Sequence, residues 1–140
     1  MPEPSSDPAY LFVYGTLRAA FDGPMATGLR RSAQLIGPAV IGGTLYRVAD
    51  YPGLVPGGVG LVHGDLFALR DATATLAVLD DYEECAPHHP LPHEYRRERC
   101  MVRAASGPVE AWTYVYAYDV SGLPVVAGGD FLACVGEAGG

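Results

Sequence analysis

With 140 residues, 49% of them hydrophobic and only 18% charged, the chain can bury one core and is not a disordered polymer. A formal net charge of −7, with no basic stripe and four histidines that could not reverse the sign, argues against nucleic acid and anionic membranes as partners. Three scattered cysteines make a poor disulfide scaffold and suit a reducing cytoplasm.

Residues 1–9 carry Pro2, Pro4, Pro8, Glu3 and Asp7 and read as a flexible tail, without the basic start and apolar run of a signal peptide. No stretch reaches the roughly 20 apolar residues of a membrane span. Strands are expected at 10–14, at 39–48 with a bulge or bend at Gly42-Gly43, and at 60–69. Between the last two, Tyr51-Pro52-Gly53 and Pro56-Gly57-Gly58 read as turns bracketing Leu54-Val55. One helix is convincing, over 71–84, with Asp71 as its N-cap. Residues 85–92 form a loop stiffened by Pro87, Pro90 and Pro92. Strands follow at 95–104 and 109–118, joined by a turn at Ser106-Gly107-Pro108, and a helical turn near 130–134 closes the domain. Residues 136–140 are glycine-rich and expected to fray. The sum is a single β-rich α+β domain over 10–135, a curled or closed sheet with one helix that matters.

The segment Leu11-Phe12-Val13-Tyr14-Gly15-Thr16-Leu17-Arg18 is a core strand that stops at a tight turn. Successive backbone N–H groups at such a turn can receive a carboxylate or a polarised carbonyl oxygen, and Arg18 stands beside them with the right sign.

On the helix, Ala72, Leu76, Leu79 and Glu83 fall on one stripe, whereas Asp80, Asp81 and Glu84 lie off its centre and can stay solvated. Glu83 thus occupies a core-facing position in the last turn, where the helix dipole disfavours an anion. Burial, dipole and neighbouring carboxylates should all raise its pKa, the tuning a general acid/base requires. The plainer alternative is a frayed end with Glu83 turned to water.

Tyr95 and Arg97, two apart in a strand, share a face. Arg97 either shapes a pocket or pairs with Asp80 or Asp81, and the ion pair is the simpler reading. Tyr114, Tyr116 and Tyr118 alternate onto one face as packing residues, with Tyr116 able to line a site. Cys85, His88, His89 and His93 invite a zinc reading, but the three prolines prevent the helix that would converge His89 with His93, and no second ligand pair exists. No metal is therefore expected. No cysteine has an activating context, and no glycine pattern forms a phosphate-binding loop.

Phe12-Val13-Tyr14-Gly15-Thr16-Leu17-Arg18, then Leu79-Asp80-Asp81-Tyr82-Glu83, then Tyr95-Arg96-Arg97, resembles the gamma-glutamylcyclotransferase-like family, in particular its small AIG2-like and gamma-glutamylamine cyclotransferase branch. Lesser landmarks agree in order: Gly43-Thr44-Leu45-Tyr46, Tyr51-Pro52-Gly53-Leu54, Val62-His63-Gly64-Asp65-Leu66-Phe67 and Trp112-Thr113-Tyr114-Val115-Tyr116. The resemblance implies a small mixed, largely antiparallel closed β-barrel flanked by a few helices. It also implies a cofactor-free reaction in which the α-amine of a γ-glutamyl group attacks its own γ-carbonyl, giving 5-oxoproline and a free amine. The family's acid/base then falls on Glu83 and its substrate cradle on Tyr14, Gly15, Thr16 and Leu17; the residue patterns above add Arg18 and Tyr116 as further binding residues, with Tyr95 and Arg97 behind them. Many relatives have Gly after this Glu, where the present chain has Glu84 and Cys85.

Two other readings stay open. The same cradle could serve a non-catalytic module that binds γ-glutamyl or other amino-acid-like ligands, or the same carboxyl could hydrolyse an amide to glutamate. The expected partner is a small molecule, and the expected assembly a monomer or weak dimer.

Overall fold

The computed structural model describes residues 9–15, 24–48, 51–83 and 85–131. Five strands close into a barrel: β1 (Ala9–Val13), β2 (Ala33–Arg47), β3 (Pro52–Leu69), β4 (Tyr95–Ala104) and β5 (Gly107–Tyr116), in the order β1-β3-β2-β4-β5. Four of the five pairings are antiparallel; β1 runs parallel to β5, with Leu11 opposite Trp112. This is the small, mixed, largely antiparallel barrel that the resemblance implies. Two seams are narrow: β1 meets β5 at Leu11–Trp112, and β2 meets β4 at Ala39–Ala104 and Val40–Arg103.

Strand β1 is apolar throughout because both of its faces are covered. Phe12 points into the barrel among Ile41, Leu45, Leu54, Leu66, Val102, Val115 and Phe131. Leu11 and Val13 point outward into a second cluster with Phe67, Leu69, Tyr95 and Tyr114. Two helices close over that outer cluster: α1 (Pro24–Ser32) through Leu29, and α2 (Ala72–Tyr82) through Leu76 and Leu79. The stripe read from the sequence of α2 is thus the face it buries. Asp71 caps α2 as anticipated, accepting from the Ala74 N–H at 3.1 Å.

Several boundaries differ from the sequence reading. Helix α1 was not anticipated: it is short, holds Gly28, and among the described side chains buries Leu29. The turns expected around Leu54-Val55 are absorbed into one 18-residue strand. Gly43–Arg47 pair with Pro52–Pro56, the register jumps at Gly42/Gly43, and Leu61 resumes opposite Gly42. Gly57 and Gly58 supply the jump at φ 103° and 81°, so the turn chemistry is real but makes a bulge instead of a chain reversal. The bulge predicted at Gly42-Gly43 stands. A 3₁₀ turn spans Ala127–Gly129, and most of the helical turn expected near 130–134 lies outside the described residues. No described helix is long and apolar enough to cross a membrane.

Candidate active site

Glu83 follows α2 directly, its N–H still bonded to the Leu79 carbonyl at 2.8 Å. Because Leu79 is 2% exposed and anchors the last turn, Glu83 is delivered to the edge of the outer apolar cluster, half-buried. Its carboxyl is pushed up from 4.5 to about 7, first by burial and then by the charge of Glu94. The sequence reading expects a raised value from burial, the helix dipole and neighbouring carboxylates, without singling out Glu94. Asp80 is not solvated: its Oδ1 accepts from Arg97 Nε at 2.8 Å and from Tyr114 Oη at 2.7 Å, and its Oδ2 accepts from Arg97 Nη2 at 3.1 Å. The carboxylate that bears on Glu83 comes instead from the foot of β4.

Around Glu83 stand tyrosines whose hydroxyls are committed to the backbone. Tyr14 Oη donates to the Tyr114 carbonyl and accepts from the Leu54 N–H at 3.2 Å. Tyr95 Oη donates to the Pro52 carbonyl at 2.7 Å. Burial raises the pKa of both, and the Glu83 charge adds to each. Together they hold the start of β3 against the end of β1. Gly15 lies there with Pro52 so close that a Cβ would sit 3.0 Å from the proline Cγ. Beside it, a Cβ on Gly53 would come within 2.6 Å of the Tyr116 ring, so that ring packs directly on bare backbone. Tyr116 also meets Tyr95 edge-on, with centroids 5.4 Å apart.

Of the residues singled out from the sequence, the fold therefore gathers Glu83, Tyr14, Gly15, Tyr95 and Tyr116. Thr16, Leu17, Arg18 and Glu84 lie outside the described residues. Arg97 is taken up by Asp80, with its guanidinium 4.4 Å from the centroid of Trp112. Tyr51, Pro52, Gly53 and Glu94 were not picked out as site residues. Only the order Tyr51-Pro52-Gly53-Leu54 hinted at the first three, and nothing local distinguishes Glu94 from any strand-edge glutamate.

The histidine loop splits into separate partnerships. Asp81, His88 and His89 bring their ligand atoms within 4.8 Å of one another. However, His89 Nδ1 accepts from the Ala86 N–H at 3.2 Å, which assigns the neutral ring's proton to Nε2, facing Asp81 Oδ1 at 3.5 Å. A protonated nitrogen is not a ligand. His93 Nε2 lies 3.3 Å from the His89 carbonyl, and Cys85 Sγ lies 3.9 Å from Asp80 Oδ1. Burial first, and Asp80 next, push the Cys85 thiol up to about 11, far from a reactive thiolate.

A carboxyl near neutrality at the end of α2, beside a strand that stops at Tyr-Gly, is matched by the comparisons. Residues 11–133 fit the family model described as gamma-glutamyl cyclotransferase, AIG2-like. The chain belongs to this family. Membership supports a cyclotransferase-type activity in general. A comparison with curated proteins finds no match. Among solved structures, the protein ytfP from Escherichia coli is 32% identical, with 90% of this chain and 98% of that one covered at a TM-score of 0.61. An AIG2-like protein from Mus musculus is 24% identical, with 85% and 86% covered, and has a TM-score of 0.67. YkqA from Bacillus subtilis shares the fold at 19% identity and a TM-score of 0.70; 94% of this chain is covered but only 43% of YkqA.

Proposed function

We propose that this AIG2-like protein is a cyclotransferase that converts a γ-glutamyl amine or γ-glutamyl peptide into 5-oxoproline and a free amine. The observation that carries the reading is Glu83, a half-buried carboxyl at about 7 set beside the Tyr14-Gly15 turn. The substrate's α-ammonium cannot attack, so the Glu83 carboxylate first takes its proton. The freed amine then adds to the γ-carbonyl carbon of the same glutamyl unit, and the ring C–N bond forms. The protonated Glu83 returns the proton to the departing nitrogen as the original C–N bond breaks; it then takes the second proton that the ring nitrogen sheds and passes it to the released amine, which leaves as its ammonium. One carboxyl serves both steps, and no water, oxidant or cofactor enters the balance.

Because the attack is intramolecular, holding the amine against the carbonyl supplies much of the acceleration. The turn amides at Gly15, Thr16 and Leu17 would hold the α-carboxylate or the developing oxyanion, with Arg18 adding charge and Tyr116 walling the pocket. Tyr95 acts behind them by holding Pro52. In this proposal the protein is cytoplasmic, a monomer or weak dimer acting on a small molecule.

The test is incubation of the purified protein and of Glu83→Gln with a panel of γ-glutamyl amines and dipeptides, with 5-oxoproline read by mass spectrometry. Glu83-dependent 5-oxoproline is the expected result. Ligand bound and returned unchanged would instead make the chain a binding module, and glutamate as product would make it a hydrolase.

A further inference from the structure

The Tyr51–Glu94 pair is a part of the site that the reaction above leaves unused. Glu94 immediately precedes Tyr95, the first residue of β4, and its carbonyl accepts from the Ala117 N–H at 2.7 Å. Its carboxylate is held as well, Oε2 accepting from Tyr51 Oη at 2.7 Å. Tyr51 in turn packs against Tyr95, centroids 6.4 Å apart, next to the Pro52 carbonyl that Tyr95 holds. Backbone and side chain of Glu94 are thus both anchored, unlike a strand-edge glutamate waving in solvent.

The groups surrounding Glu83 make that anchoring consequential. Tyr14 approaches from β1, Glu94 and Tyr95 from β4, and Cys85 from the loop after α2. Burial raises the pKa of Tyr14, Tyr95 and Cys85, so all three are neutral near pH 7. Among the described residues, Glu94 supplies the charge that bears on Glu83; on β4, Arg96 is paired with Glu98 and Arg97 with Asp80.

We propose that Glu94 is a positioning residue for the acid/base: fixed by the Tyr51 hydroxyl, its carboxylate repels that of Glu83, so the pair retains the proton taken from the substrate until the amine departs. Glu94 exchanges no proton itself. It strengthens Glu83 as a base toward the ammonium and keeps the resulting acid loaded inside the site. This rests on the cyclotransferase reading, but its central claim concerns Glu83 alone.

The full chain is labelled with ¹³C at glutamate carboxyls, and the Glu83 resonance is identified by its loss in Glu83→Gln. Its midpoint is followed with pH in the wild type, Glu94→Gln and Glu94→Asp. A midpoint near 7 in the wild type, moved to lower pH by Glu94→Gln and moved back by Glu94→Asp, is the expected result. An unchanged midpoint in Glu94→Gln overturns the proposal. Should that variant not fold, Tyr51→Phe frees the same carboxylate and must lower the midpoint too; no movement there overturns it equally. In parallel, the acid limb of kcat/KM for 5-oxoproline formation should shift with the resonance, while KM holds. Because the resonance is read without turnover, a wild type that makes no 5-oxoproline sinks the cyclotransferase reading and leaves the Glu94 result standing on its own.

Discussion

Arg97 grips Asp80 with two nitrogens, at 2.8 Å and 3.1 Å, and so ties the last turn of α2 to the strand that carries Tyr95. Tyr114 adds a third bond to the same carboxylate from the neighbouring strand. The catalytic candidate is only three residues further along the chain. Its position is therefore set by a clamp of which it is not a member.

Removing the cation should loosen that clamp. Arg97→Met leaves a mostly buried carboxylate short of its partner, at a cost of about 1–3 kcal/mol in urea unfolding. Turnover should fall through misplacement of Glu83, whereas Arg96→Met, whose partner Glu98 is exposed, should change stability by less than about 0.5 kcal/mol. Equal losses in the two variants would show that the clamp is ordinary surface pairing.

Glu83 should destabilise the fold at alkaline pH. Its pKa rises from 4.5 in the unfolded chain to about 7 in the folded one, so between those values the folded state holds more protons. Stability from this group is complete below about 4.5 and is lost as pH rises through about 7. Glu83→Gln should match the wild type near pH 5 and exceed it at pH 8 by on the order of 1–3 kcal/mol, while abolishing 5-oxoproline formation. Denaturant melts at the two pH values check the sign; a destabilised Gln variant at pH 8 would contradict the buried placement.

The close approaches at Gly15 and Gly53 should tolerate nothing larger. A methyl on Gly53 would overlap the Tyr116 ring, so Gly53→Ala should cost about 1–3 kcal/mol and displace that ring. Gly15→Val should press on Pro52 and block backbone approach to the ligand, raising KM or abolishing binding. Calorimetric titration with a γ-glutamyl ligand separates the two effects.

Tyr14→Phe tests whether the family's tyrosine acts on substrate or on the scaffold. Its hydroxyl is 100 residues from one partner and 40 from the other, and both partners are backbone groups. Its loss orphans a buried N–H and should cost about 1–3 kcal/mol. If the role is to hold β3, residual activity should keep the wild-type pH profile; a profile that changes shape would mean the phenol takes part in proton transfer.

Local information was enough for much of this molecule. The apolar run 10–14, the Asp71 cap, the α2 stripe and the turn at 106–108 are all short-range patterns, and each appears within a residue or two of its expected place. Glu83 was legible for the same reason, since a helical stripe is a property of neighbouring residues. Strand β3 was misread because turn chemistry specifies an unusual φ but not its use, and pairing with β2 made the Gly57-Gly58 segment a bulge. Helix α1 escaped notice because Leu29 becomes apolar surface worth covering only once the barrel lies beneath it.

The chain favoured an ion pair for Arg97, but which of Asp80 and Asp81 takes it, and which carboxylate tunes Glu83, could not be read along the chain. Those questions turn on charges 11 to 17 residues apart that meet only when strand β4 is laid beside the end of α2. Electrostatic coupling depends on spatial distance and on the water excluded between groups, and closing the barrel sets both. The residue types that can perform the chemistry were written in the sequence; the proton affinity that would let Glu83 perform it belongs to the fold.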